Sequence, residues 1–227
     1  MPRPWTLLDR VDTPEGPLEL RRSPGNDFLI VVGGRVLMNS AWSRTERTVA
    51  EVACARLTGI RAPRVLIGGL GMALTLRAAL DALPADAQVT VVELNPVVEA
   101  WCRGPLSALT GHSVADPRVT LILGDVAHFI ASTAASARWN AIILDLYEGP
   151  HAATQRVDDP FYGAHALALT RRALVPGGWF AVWSEEPDAA FDKRMANAGF
   201  MASPVPRPTS GPRHAVLLAQ ARVSPAR

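Results

Sequence analysis

The sequence predicts an α/β fold: a doubly wound, mostly parallel sheet preceded by a small N-terminal β-hairpin unit. Three observations predict it. An apolar stretch, Arg64-Val-Leu-Ile-Gly68, runs into the glycine-rich turn Gly69-Leu-Gly-Met-Ala73, which opens a helix-period segment. A second apolar stretch, Val89-Thr-Val-Val-Glu93, ends in an acid. From residue 64 onward, short apolar runs alternate with segments of helical period, the pattern of a parallel sheet covered on both faces.

The elements follow in order. Thr6–Val11 and Leu18–Arg22 flank the turn cluster Thr13-Pro-Glu-Gly-Pro17, and Asp27–Val32 and Arg35–Asn39 flank Gly33-Gly34, a two-residue hairpin turn. These two hairpins make a unit over residues 1–42, and residues 43–227 form the larger domain. Residues 43–58 read as a helix, with Ser43 or Thr45 as cap and Val49, Val52, Ala53 and Leu57 on one face. Strands are predicted near 64–68, 88–94, 119–124, 140–146 and 178–184. Helices are predicted near 72–82, 96–108, 126–134, 162–174 and 187–198. Pro176-Gly-Gly178 marks a helix-to-strand turn, Pro204–Pro208 an irregular edge piece, and His214–Ala221 a final strand.

Composition narrows the function classes. Of the 227 residues, 48% are hydrophobic and 19% charged, which fits a packed core. The net charge of +2, without a dense Lys/Arg run, does not suggest nucleic-acid binding. Apolar runs are too short to span a bilayer, and Met-Pro-Arg-Pro-Trp5 has no signal-peptide core. The two cysteines, Cys54 and Cys102, read as buried thiols, so the expected compartment is the cytoplasm. No Cys/His cluster of metal-binding spacing occurs, and no metal is expected.

In an open parallel sheet, ligands bind beyond the carboxyl ends of the strands. Strand one ends in Gly68, Gly69 and Gly71, where glycine lets backbone approach a ligand and the next helix offers N–H groups. Strand two ends in Glu93 and Leu94. An acid there can accept hydrogen bonds from both hydroxyls of a ribose, which points to an adenosine-type ligand. Strand three ends in Asp125 and Val126. Asp125 reads both as a helix N-cap and as an acceptor for an adenine amino group. Strand four ends in Asp145, with Tyr147, Glu148 and His151 in the loop behind it, where catalysis or substrate binding is expected. His151 is a candidate general base, with an exposed loop histidine as the alternative reading. Trp183 closes strand five as core or cleft wall.

With these residues in place, the chain resembles the spermidine synthase (polyamine aminopropyltransferase) family, within the Rossmann-like S-adenosylmethionine-dependent methyltransferase fold. The resemblance covers most of the chain, including the hairpins and Leu174-Val-Pro-Gly-Gly-Trp-Phe-Ala-Val-Trp183. It implies that Glu93 binds ribose, that Asp125 lies at the adenine, and that Asp145 binds and deprotonates an amine. It also implies S-adenosylmethionine or its decarboxylated form as cofactor, and a homodimer formed through the hairpins. The sequence departs from the family at three places. Gly71 stands at the acid position of the Gly-Gly-Gly-Asp-Gly-Gly motif, which helps hold the cationic tail of decarboxylated S-adenosylmethionine. Val49-Ala50-Glu51 replaces Tyr-His-Glu, keeping only Glu51 for the amine site. Asp145-Leu-Tyr-Glu-Gly-Pro150 replaces the Asp-Ser-Ser/Thr-Asp-Pro loop.

The expectation is therefore a transferase moving a methyl or aminopropyl group to a small, amine-bearing acceptor, other than a true spermidine synthase. A genuine aminopropyltransferase and a non-catalytic nucleoside-binding module are the alternatives. A nicotinamide-dependent dehydrogenase is less favoured, because the turn lacks the usual third glycine and the strand-four loop offers no hydride-transfer apparatus.

Overall fold

The computed structural model describes residues 5–136, 138–147, 149–150, 158–206 and 214–223. The chain forms two compact units, Met1–Arg44 and Thr45–Arg227.

In the first unit, β1 (Thr6–Thr13), β2 (Gly16–Arg22), β3 (Phe28–Val32) and β4 (Arg35–Asn39) make one antiparallel sheet in chain order. Gly33 and Gly34 adopt φ of 53° and 85°, so the β3–β4 turn needs two residues free to enter the left-handed region. Leu18, Leu20, Phe28 and Ile30 are buried, while Leu7 and Val36 on the edge strands are exposed.

The second unit begins with α1 (Arg44–Ala55), whose buried face is Thr45, Glu46, Val49, Ala50, Ala53 and Cys54. Thr45 lies within the helix, one position beyond its first residue, and its hydroxyl serves other partners described below. The strands β5 (Arg64–Gly68), β6 (Gln88–Glu93), β7 (Val119–Leu123), β8 (Trp139–Leu144) and β9 (Leu174–Ser184) pair in parallel. Between them run α2 (Leu74–Ala82), α3 (Pro96–Arg103), α4 (Val126–Thr133) and α5 (Ala164–Ala173). Then follow α6 (Ala189–Asn197), β10 (Phe200–Ser203) and β11 (Ala215–Ala221). The seven-stranded sheet has the order β10-β11-β9-β8-β5-β6-β7, and β11 is antiparallel to both neighbours. Strand order reverses at β5, so a crevice opens beyond the ends of β5 and β8. The central strands are apolar throughout, as two covered faces require: Val65–Ile67, Ala141–Leu144 and Phe180–Val182 are all buried.

Several elements differ from the sequence expectation. The helix expected over 96–108 stops at Arg103, where Gly104 and Pro105 follow. The helix expected from 162 starts at Ala164, because the Asp159 carboxylate accepts hydrogen bonds from the Phe161 and Tyr162 N–H groups (2.9 and 2.6 Å) and holds a turn there. Pro176–Gly178 is a bulge within β9 rather than a turn before it: Trp139 pairs with Leu174, yet Ala141 pairs with Trp179. Strand β10 was not expected, and its four residues are too few to show a period.

A cluster of aromatic side chains packs where β9 meets α6 and β10. Phe180, Phe191 and Phe200 are fully buried, with the Phe180 and Phe200 rings 5.4 Å apart. Truncating Phe180 to Ala leaves a cavity that rigid strands cannot close. It is expected to cost about 3–5 kcal/mol in denaturant unfolding.

Candidate active site

The glycine turn is shaped by backbone contact. Gly69 has φ of 88°, and a Cβ on it would run into the Asp145 carbonyl. A Cβ on Gly68 would meet Leu144 and Val126 side chains at 2.8 and 2.9 Å. Backbone bonds then tie the strand ends together: Asp145 N–H donates to Gly68 O and Gly69 N–H donates to Val92 O, each at 2.9 Å. Gly71 (φ 51°) and Ala73 (φ 59°) complete the turn, and α2 starts without a side-chain cap. The Cys102 thiol donates to the Gly71 carbonyl at 3.2 Å. Burial pushes that thiol up to about 12, with Glu93 and Glu99 adding to the rise, so it remains a donor. Cys54 is likewise buried, free, and pushed up to about 12 by burial.

Glu93 faces this turn and is 8% exposed. Its two oxygens accept from Leu70 N–H and Asn95 N–H, each at 2.8 Å. Each oxygen keeps a second lone pair, the number needed for two vicinal hydroxyls. One oxygen of Asp125 accepts from both Ala127 N–H (2.7 Å) and His128 N–H (3.2 Å), as an N-cap. Its other oxygen has no such bond among the described residues. Leu94 and Leu123 are exposed by 73% and 50%, so apolar surface lies bare beside these acids. A cradle closed to any Cβ, a diol-type acceptor and an apolar floor fit an adenosine-type ligand. Gly68, Gly69, Gly71, Glu93, Leu94 and Asp125 are the residues that would hold it.

On the other side of the turn stands Asp145, half-buried at the end of β8. The Thr75 hydroxyl, on the first turn of α2, donates to Asp145 Oδ2 and also lies 3.0 Å from the Glu46 carbonyl oxygen. Burial pushes the Asp145 carboxyl up to about 7; the Glu46 carboxylate adds to the rise and the Thr75 hydrogen bond opposes it. Burial also raises Glu46, against the pull of its hydrogen bonds and of His214 and Arg47. A carboxyl raised to about 7 exchanges its proton near neutral pH.

The remaining predicted residues fall out as follows. Tyr147 is 43% exposed beside Asp145 in sequence. Glu148 and His151 lie outside the described residues. The Val126 side chain is buried against Gly68 and so supports the turn from beneath. Glu51 is exposed on the outer face of α1; the acid that this helix turns inward is Glu46, one of the positions sharing a face with Val49, Ala50 and Ala53. Trp183 is buried, donates its indole N–H to Thr45 Oγ1 at 3.1 Å, and meets the His214 ring edge-on at 4.9 Å. Sequence reasoning missed Glu46, Thr75 and His214. Glu46 alone carried a signal, an acid in register with the apolar stripe of its helix. Among the described residues, no group of His, Cys, Asp and Glu is arranged to hold a metal ion.

No protein-family model matches the chain. Polyamine aminopropyltransferase 2 of Streptomyces coelicolor is 33% identical over 189 residues, 75% of this chain and 33% of that protein. Polyamine aminopropyltransferase of Mycobacterium tuberculosis is 32% identical over 130 residues, 57% of this chain and 24% of that protein. Putrescine N-methyltransferase 3 of Nicotiana tabacum is 36% identical over 115 residues, 51% of this chain and 28% of that protein. The matches thus span a third or less of the length of these relatives. Among solved structures, spermidine synthase from Thermotoga maritima superposes with a TM-score of 0.73 at 17% identity, covering 96% of this chain and 74% of that one, which shows the shared fold. The sheet order and the superposition show the spermidine synthase fold, and over three quarters of its length the chain is similar in sequence to a polyamine aminopropyltransferase.

Proposed function

We propose that this chain is an S-adenosylmethionine-type transferase that alkylates a small amine, with Asp145 as its general base. The observation that carries the reading is the Asp145 carboxyl, pushed up to about 7 beside a glycine turn whose other side presents Glu93. The relatives named for aminopropyl transfer and for putrescine N-methylation support an amine acceptor.

When bound, the cofactor would supply an electrophilic carbon on a sulfonium sulfur. The chain's own residues do the rest by positioning and by moving one proton. Glu93 and Asp125 fix the nucleoside, and Gly69 and Gly71 let the backbone come close. Asp145 accepts a proton from the incoming ammonium and so exposes the nitrogen lone pair. Tyr147, Glu148 and His151 are proposed to shape the acceptor side, with Trp183 behind it. Gly71 has no carboxylate to hold a cationic cofactor tail, which supports the carboxylate-bearing form and a methyl transfer over aminopropyl transfer. Exposed Leu7 and Val36 on the edge strands of the first unit support pairing of two copies through that sheet.

Calorimetric titration with S-adenosylmethionine and with its decarboxylated form separates the two transfers. Tighter binding of the first is expected; tighter binding of the second would restore aminopropyl transfer. Glu93→Ala removes the diol acceptor and is expected to weaken either ligand by roughly 10- to 100-fold.

Asp145→Asn tests the base by two independent readouts. Turnover should fall by about 100-fold or more. The folded-state value of Asp145 is raised, so between about pH 4 and 7 the folded protein binds the extra proton and stability declines as pH rises through that window. The variant escapes that decline and should be more stable than the parent at pH 8, by ~2 kcal/mol in denaturant unfolding. Equal stability at pH 8 would show that Asp145 ionises without cost.

A further inference from the structure

We propose that Gly149 and Ser184 are positioning residues that clasp the loop after β8 onto the end of β9, and that this clasp sets where Tyr147 stands on the acceptor side. The link to an acceptor rests on the transferase reading above; the clasp itself rests on backbone geometry.

Sheet register leaves a place for the loop. Parallel pairing of β8 with β9 ends at Leu144 and Val182, so Trp183 and Ser184 run on past β8. Strand β11 pairs with both of them along their other edge. Their side chains point to opposite faces, as alternation in a strand requires. Trp183 turns its indole N–H to Thr45 Oγ1 at 3.1 Å, and Ser184 turns its hydroxyl to the Pro150 carbonyl, also at 3.1 Å. Along the loop, Leu146 packs against the core and Tyr147 is exposed, whereas Gly149 and Pro150 are buried again. The chain thus leaves the sheet at Asp145 and returns to it within five residues.

Gly149 makes the return possible. Its φ is 65°, and a Cβ on it would run into the Trp183 carbonyl oxygen and lie 2.7 Å from Ser184 Cα. Gly69 meets the Asp145 carbonyl in the same way at the start of the loop. Leu146 and Tyr147 therefore lie between two backbone seams, neither of which admits a side chain. The Ser184 hydroxyl closes the second seam. It has one proton for two acceptors, the Pro150 carbonyl at 3.1 Å and the Glu186 carbonyl at 2.6 Å. Glu186 is exposed, so water can serve its carbonyl in place of Ser184. Pro150 is buried, and Ser184 is the donor its carbonyl has among the described residues. A buried carbonyl that loses its donor is costly to leave dry, so removing the hydroxyl favours loop conformations that lift Pro150 toward water. Tyr147, three residues earlier, moves with it.

The chain has two tyrosines, Tyr147 and Tyr162, so the loop can be observed by itself. Protein grown with 3-fluorotyrosine carries one fluorine label at Tyr147, 43% exposed, and one at Tyr162, 3% exposed in the core. Tyr147→Phe assigns their resonances. Ser184→Ala adds no volume. It is expected to shift or broaden the Tyr147 line while the Tyr162 line stays in place, the sign of an intact core. Gly149→Ala, which forces a side chain into the seam, is expected to move the Tyr147 line further. An unmoved Tyr147 line in Ser184→Ala overturns the clasp. Equal disturbance of both lines also overturns it, because the hydroxyl would then support the domain at large.

Initial rates with S-adenosylmethionine and putrescine test the acceptor link. In Ser184→Ala the KM for putrescine should rise about 10-fold, the effect of one lost buried hydrogen bond, with the KM for S-adenosylmethionine unchanged. A fall in kcat with both KM values unchanged overturns the acceptor role. Absence of turnover in the parent with every amine tried would sink the transferase reading, and the fluorine spectra would still decide the clasp.

Discussion

Contact between the backbone of Gly69 and the Asp145 carbonyl is the constraint on which the site depends. It brings the carboxyl ends of β5 and β8 together at the place where strand order reverses, and no side chain can fit between them. Because Gly68 and Gly69 also bond to β8 and β6, the turn is held as a continuation of the sheet. Everything that acts on a ligand is then placed by strand register. Glu93 arrives from one side and Asp145 from the other, each a fixed number of pleats from the core. Val126 and Leu144, packed against Gly68 from below, keep that turn from sinking into the sheet.

The same enclosure sets the electrostatics. A carboxyl at a solvated strand end would ionise well below neutrality, as acids ordinarily do. Burial instead raises both Asp145 and Glu46, and each carboxyl bonds to a threonine hydroxyl, Thr75 for Asp145 and Thr45 for Glu46. Hydroxyls satisfy the hydrogen-bonding capacity of the acids without cancelling their charge. Residues here are chosen for chemistry at the expense of stability, the opposite of the phenylalanine cluster on the far strands.

Much of this was legible in the sequence, and the reasons are specific. Strands β5 and β8 announce themselves because both faces of Val65–Ile67 and Ala141–Leu144 are buried, so these runs are unbroken apolar stretches. Glu93, Asp125 and Asp145 could be named because each ends such a run, where backbone direction alone decides that it reaches the crevice. What failed to show was whatever depends on contacts distant in sequence. Thr75 looks like an ordinary helix residue, His214 like a strand start, and their partners Asp145 and Thr45 lie far away along the chain. Glu51 drew attention through a family motif, yet helical phase turns it outward and puts Glu46 inside. β10 is too short for periodicity, and the β9 bulge imitates a turn because proline and glycine serve both.

The position of β11 in the sheet has a consequence for how the molecule is made. It is inserted between β9 and β10, although it follows both along the chain. As the polypeptide emerges, β10 has no strand to pair with, and β9 presents an open edge until β11 arrives. His214 leads that strand, and its contact with Thr45 joins positions 169 residues apart. The segment from β5 to Asp145 can therefore be assembled early from neighbouring units, whereas the Thr45–His214 contact is a closing event of high contact order. A chain stalled before β11 would carry the glycine turn and its acids but lack the contact of His214 with Thr45 on α1. Folding thus makes the contact between α1 and the start of β11 last, and only in molecules whose sheet is already whole.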